Sequence, residues 1–175
     1  MVAVVTDGNR ILRVALVLLV LLELQLHIVD GIQIAGHHPV ILFLVPIAAA
    51  LEGDGSRAAV AGFVTGLVFD LFLETPLGLT ALVFAIVGYG VASFERGVIR
   101  ADRWLQPAVA GVASALGVVG IGMAAAIFGE PQYFRVSLIG SVLVVGVFNA
   151  IVATPVIRAV RWALGPVAVH GSLHA

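Results

Sequence analysis

Apolar runs of bilayer-spanning length, one after another with little between them, leave this chain few folds to choose from. Charged residues, Gly and Pro divide it into six such runs, at about 11–29, 34–51, 58–73, 76–93, 105–128 and 136–160. Crossing ~30 Å of hydrocarbon takes about 20 residues of helix at about 1.5 Å per residue. A backbone in lipid must also satisfy its own N–H and C=O groups, so the runs are predicted to form an all-α, compact bundle of six transmembrane helices. Composition agrees: 61% of the 175 residues are hydrophobic and 11% charged, against about a quarter charged in a soluble domain, and the mean hydropathy is +1.16. Connections are short, so residues 1–175 read as one membrane domain with a flexible tail over 166–175. The first run exceeds a signal-peptide apolar region and lacks a small-residue cleavage site, so it reads as a retained helix.

Arginine placement sets the expected orientation. Arg10 and Arg13 precede the first run, Arg57 follows the second, and Arg96, Arg100 and Arg103 lie between the fourth and fifth. Arg158 and Arg161 close the sixth, and Arg135 alone falls on the other side. Both termini are therefore expected in the cytoplasm, with Trp104 and Trp162 at that interface. The second run is the weak member, because Pro39 opens it and Pro46 interrupts it; it is expected either to begin near residue 34 with a kink or to enter at a tilt.

The third run carries the most informative pattern. Ala58, Gly62, Gly66 and Asp70 recur every four residues, which places three small residues and one carboxylate on one helix face. Small residues let helix backbones approach closely in lipid. Asp70 lies thirteen residues beyond Arg57, about 20 Å along the axis and off the midplane. One reading makes it a proton or ion carrier. The other makes it structural: Thr75 and Pro76 fit the start of a helix, and Asp70 is placed to accept bonds from the free N–H groups there. Further small residues, Gly88 and Gly90, Ala113 and Gly117, Gly120 and Ala124, and Gly146, Ala150 and Thr154, mark packing faces.

Glu23, His27 and Asp30 share a face near the end of the first run, with His37 and His38 following. They suit interfacial polar residues at a helix exit better than a metal site, since their spacing matches no ligand motif. Asn149 reads as an interhelical hydrogen bond or a partner-facing group. The chain has no cysteine, which removes disulfide and thiolate chemistry. No nucleophilic triad, phosphate-cradling loop or nucleic-acid patch is visible, so neither enzyme activity nor a cofactor is expected.

The order glycine, glycine, aspartate, proline-leucine-glycine, carried by Gly62, Gly66, Asp70, Pro76, Leu77 and Gly78, follows a proline (Pro39) and a glycine turn (Gly53, Gly55) and precedes Gly88-Tyr89-Gly90. It resembles the rod shape-determining MreD family of bacteria, over about residues 39–93. The resemblance implies a multi-pass protein of the inner (cytoplasmic) membrane, a non-catalytic scaffold of the cell-elongation complex. Its implied partners are the single-span protein MreC, directly and helix to helix, and MreB filaments, RodA and a penicillin-binding transpeptidase in the larger complex. Membrane lipids are its other contact. Gly62, Gly66, Asp70, Thr75, Pro76 and Gly78 would be its packing signature, with Glu23, His27 and Asn149 facing a cavity or partner. The implied fold resembles the substrate-binding subunits of energy-coupling-factor transporters. That likeness supplies an alternative, a vitamin or small-molecule carrier subunit whose cavity would be lined by Glu23, His27 and Asp70.

Overall fold

The computed structural model describes residues 2–52, 54–73, 76–98, 105–127 and 137–165. Thr75, Arg100, Arg103, Trp104, Arg135 and the tail 166–175 lie outside the described residues, as do the side chains of Glu95 and Arg96. The described residues form six α-helices: α1 (Val2–Leu24), α2 (Leu44–Ala50), α3 (Gly55–Asp70), α4 (Leu79–Val98), α5 (Leu105–Ile127) and α6 (Ser137–Leu164). A π-turn, Gln25–Val29, extends α1 and a 3-10 turn, Ile41–Phe43, leads into α2. Pairing of the extended kind is confined, among the described residues, to one isolated bridge between Ile34 and His37. Among the described residues three stretches, Gly8–Val29, Leu105–Ile127 and Leu138–Leu164, are long and apolar enough to cross a membrane, while Ile41–Ala50 and Leu79–Phe94 are shorter apolar helices.

The second run departs from the helix expected over 34–51. Residues Ile41–Ala50 are helical, about 15 Å, and residues 34–40 are not. Two features stop a helix there. Ala35 (φ 52°) and Gly36 (φ 81°) turn the chain back in the left-handed region, and Pro39 disfavours helix at the residue before it. Pro46 causes no kink, because it stands in the first turn of α2, where the N–H it lacks has no α-helical partner. The run still travels from one end of the molecule to the other. His37 lies at Ser141, near the start of α6, and Glu52 lies at Arg161, near its end. Those α6 positions are separated by about 30 Å of helix.

A short helix with an extended lead-in is tolerated at membrane depth only where protein encloses it, and α2 is enclosed. Every residue from Ile41 to Leu51 is buried, and α2 touches α3, α4, α5 and α6. Phe43 is its wedge: the ring lies 4.4 Å, centroid to centroid, from Phe84 of α4, and its other edge fills the space left by Gly117 of α5.

Around α2 the remaining helices pack as the hairpins α3–α4 and α5–α6, with α1 laid against α6. The glycine face of α3 is the seam of the first hairpin. A Cβ on Gly62 would strike the Phe84 carbonyl, and one on Gly66 would lie 2.5 Å from the Ala81 Cα. From the other side, a Cβ on Gly88 would come within 2.6 Å of the Ala58 carbonyl. In the second hairpin Gly111 faces the Gly146 carbonyl at 2.8 Å by the same measure. Gly90, by contrast, opens onto free space.

The two kinds of glycine should behave oppositely. Gly66→Ala forces backbone against backbone and is expected to lower unfolding free energy by at least about 2 kcal/mol. Gly90→Ala meets nothing and is expected to be neutral or stabilising by up to about 1 kcal/mol. Chemical unfolding of the purified variants in detergent checks both.

Candidate functional site

Polar side chains within an apolar bundle are where function or architecture has to be sought. Asp70, at the end of α3, is 1% exposed. Its Oδ2 accepts from the Gly78 N–H (2.8 Å) and the Ala81 N–H (3.3 Å), and its Oδ1 from the Thr80 N–H (3.3 Å). The first turn of α4 is thereby fully accounted for. The Leu79 N–H donates to the Pro76 carbonyl, and the Leu82 N–H to the Gly78 carbonyl. Gly78 thus holds the N-cap position, with a φ of +94° that favours glycine. Having no side chain, it leaves capping to the carboxylate of the preceding helix. The helix starts at Leu79 and not at Pro76, which puts Pro76 in the connecting turn and Thr75 outside the described residues.

Gln25, in the π-turn after α1, is fully buried. Its Nε2 donates to the Pro39 carbonyl (3.0 Å) and to Asp30 Oδ1 (3.2 Å), and its Oε1 accepts from the Ile41 N–H (2.8 Å). It therefore grips the chain on both sides of the start of the 3-10 turn. Asn149 of α6, also fully buried, donates through Nδ2 to the Val40 carbonyl (2.8 Å) and to Ser114 Oγ on α5 (2.8 Å). Its Oδ1 is buried without a protein donor among the described residues. Two side-chain amides from opposite elements thus hold the backbone at 39–41.

Glu23 and His27 do not face this interior. They stand exposed on α1 and pair with each other at 3.0 Å, whereas Asp70 is enclosed between α3 and α4, so the three line no common space. The histidines that follow also go separate ways. His37 Nδ1 meets Ser141 Oγ at 2.9 Å, and His38 Nδ1 meets the Asp30 carbonyl at 2.8 Å. Among the described residues no group of three or more His, Asp or Glu side chains could hold a metal.

Gln25, Ser114 and Ser141 belong to none of the motifs that stand out in the sequence. For Gln25 a signal exists: it lies two positions from Glu23, about 200° around a helix, so it points inward when Glu23 points outward.

Charge gathers at the opposite end of the molecule. The Arg13 guanidinium lies 5.1 Å from the ring centroid of Trp162, joining α1 to α6. Arg161 pairs with Glu52 at 2.7 Å. Arg57 pairs at 3.0 Å with Asp54, whose carboxylate also caps α3 through the Ser56 and Arg57 N–H groups.

Stability measurements separate these roles. Asp70→Ala strands three backbone donors and is expected to cost about 3 kcal/mol or more, whereas Asp70→Asn, which keeps one acceptor oxygen, is expected to cost about 1–2 kcal/mol. Gln25→Leu is expected to cost about 2 kcal/mol and Glu23→Leu to stay within about 0.5 kcal/mol, each read from unfolding in detergent.

Residues 8–160 match the family model described as rod shape-determining protein MreD. No curated protein and no solved structure matches the chain. The match spans most of the chain, from before the arginines of α1 to the last turns of α6, and includes Asp70 and its helix start. The chain is a member of the MreD family of rod shape-determining proteins.

Proposed function

We propose that this protein is a non-catalytic scaffold of the bacterial elongation complex. In this reading it crosses the inner membrane six times as one membrane domain, with both termini and the arginine-bearing end in the cytoplasm. It binds MreC helix to helix and, with MreB, RodA and a penicillin-binding transpeptidase, helps to position peptidoglycan synthesis. Its bundle is of the type found in the substrate-binding subunits of energy-coupling-factor transporters.

The observation that carries the reading is what the interior polar groups are used for. Asp70, Gln25 and Asn149 each tie one element's backbone to another's. A carrier or a catalyst would keep such groups pointed at a space, whereas a scaffold uses them to hold its shape. The working surfaces are then lateral and apolar. One lies between α4 and α5, a groove of about 790 Å³ bordered by small residues at Gly90, Ala108, Gly120 and Ala124. Small residues on a groove let a transmembrane helix seat closely, and the proposal puts the single MreC span there.

Gly90→Phe projects a ring into this groove from a position where a Cβ meets nothing within 4 Å. It is expected to reduce co-purification with MreC at least tenfold and to leave expression and unfolding unchanged, while Ile151→Phe on the exposed face of α6 changes neither. Full MreC recovery with Gly90→Phe would move the seat elsewhere. Failure of the unmodified protein to co-purify with MreC, with rods unaltered on its depletion, would end the scaffold reading.

A further inference from the structure

We propose that the groove between α1 and α3 seats an acyl chain of an anionic phospholipid, with the lipid phosphate held between Arg10 and Arg57. The inference stands apart from the choice of protein partner and concerns a different face of the molecule.

A cavity of about 470 Å³ opens between the two helices, and Arg10 of α1 and Arg57 of α3 both line it. A smaller cavity of about 270 Å³ continues it, the two sharing Leu18 and Thr65, and reaches Leu22 of α1 and Val68 of α3. From Arg10 to Leu22 the groove follows α1 for about 18 Å. That is close to the hydrocarbon depth of one leaflet, half of ~30 Å. A ligand with a negative head at one end and a single-leaflet apolar tail matches both features.

The lining selects among occupants. Below the arginines the walls are aliphatic, with Val17 on α1, Val64 on α3 and Val45 on the floor. The hydroxyl proton of Thr65 is already engaged, donated to the Ala61 carbonyl at 2.7 Å. A polar solute would lose its hydration there and gain nothing in return, whereas hydrocarbon loses nothing. A partner helix is disfavoured by the wall of α3. The small-residue seam of α3, Ala58, Gly62 and Gly66, is turned toward α4, and the α3 wall of the groove presents Val60 and Val64 beside Ala61 and Thr65, with no glycine to let a second backbone approach closely. A flexible chain adapts to such a wall.

At the mouth Arg57 pairs with Asp54 through Nε at 3.0 Å while remaining half-exposed, and Arg10 adds a second guanidinium there. Clustered arginines attract anionic lipids in general; what distinguishes Arg10 and Arg57 is that they converge from two helices on the mouth of one apolar slot.

The test uses the full-length protein in vesicles of phosphatidylcholine doped with phosphatidylglycerol carrying a photoreactive acyl chain. Cross-links are expected on α1 and α3 between Arg10 and Leu22 and between Arg57 and Val68. After detergent extraction, native mass spectrometry is expected to show phosphatidylglycerol retained in preference to phosphatidylcholine. The double variant Arg10→Gln, Arg57→Gln should lower that retention roughly tenfold, and Arg158→Gln should leave it unchanged. Ala61→Phe, which blocks the slot, should abolish the α1–α3 cross-link. Equal retention of the two lipids, cross-links concentrated on another face, or an equal loss with Arg158→Gln would overturn the proposal. So would retained lipid in Ala61→Phe with loss of a co-purified single-span protein, which would make the groove a helix seat. If a variant fails to fold, the cross-link map and lipid preference of the unmodified protein decide by themselves.

Discussion

A helix that begins in the interior of a bundle presents backbone N–H groups that need partners, and in this protein the Asp70 carboxylate meets them. Each of its oxygens is engaged with the first turn of α4. The negative charge sits at the positive end of that helix, where dipole and hydrogen bonds act together. The geometry has a precondition: α3 and α4 must lie close enough for a short side chain to reach across. Gly62 and Gly66 supply that proximity. The carboxylate and the glycine seam are therefore one device, in which close packing makes the cap possible and the cap fixes the register of the packing.

The same constraint recurs at the start of α2, with a different solution. Here the backbone turns, runs extended through Pro39 and enters a helix, all inside the bundle. Gln25 and Asn149 approach from α1 and α6 and satisfy the Pro39 and Val40 carbonyls and the Ile41 N–H. Neutral amides suit this place because both donors and acceptors are needed there, whereas the start of α4 needs acceptors alone. The two irregular connections of the bundle are thus matched, group by group, to the side chains that hold them.

Much of this architecture is legible in the sequence. The apolar runs mark where helices form, Arg10, Arg13, Arg57 and Arg161 gather at one end, and the spacing of Gly62, Gly66 and Asp70 marks the face that α3 turns to α4. The short α2 was harder to read, since a run of apolar residues from Ile41 to Leu51 has the same composition whether it borders lipid or is wrapped in protein. Hydropathy cannot separate those cases; the turn chemistry of Ala35, Gly36 and Pro39 could have. Gln25 was obscured for a related reason. Three polar neighbours, Glu23, His27 and Asp30, suggested an interfacial face, and the one amide on the opposite side carries the structural role. Thr75 attracted attention as a local cap, while the acceptor that serves α4 comes from eight residues before Gly78.

The enclosure of α2 has a consequence for biogenesis. A helix of about 15 Å with an extended lead-in cannot rest in a bilayer alone, because the backbone groups around Pro39 would face hydrocarbon. Gln25, made before them, holds the Pro39 carbonyl and the Ile41 N–H, but Asn149, which holds the Val40 carbonyl, belongs to α6, which is synthesised last. The second segment must therefore wait, unfinished, until the C-terminal hairpin has entered the membrane, and only then can the chain close around it. A nascent or truncated chain without that hairpin would leave this segment exposed.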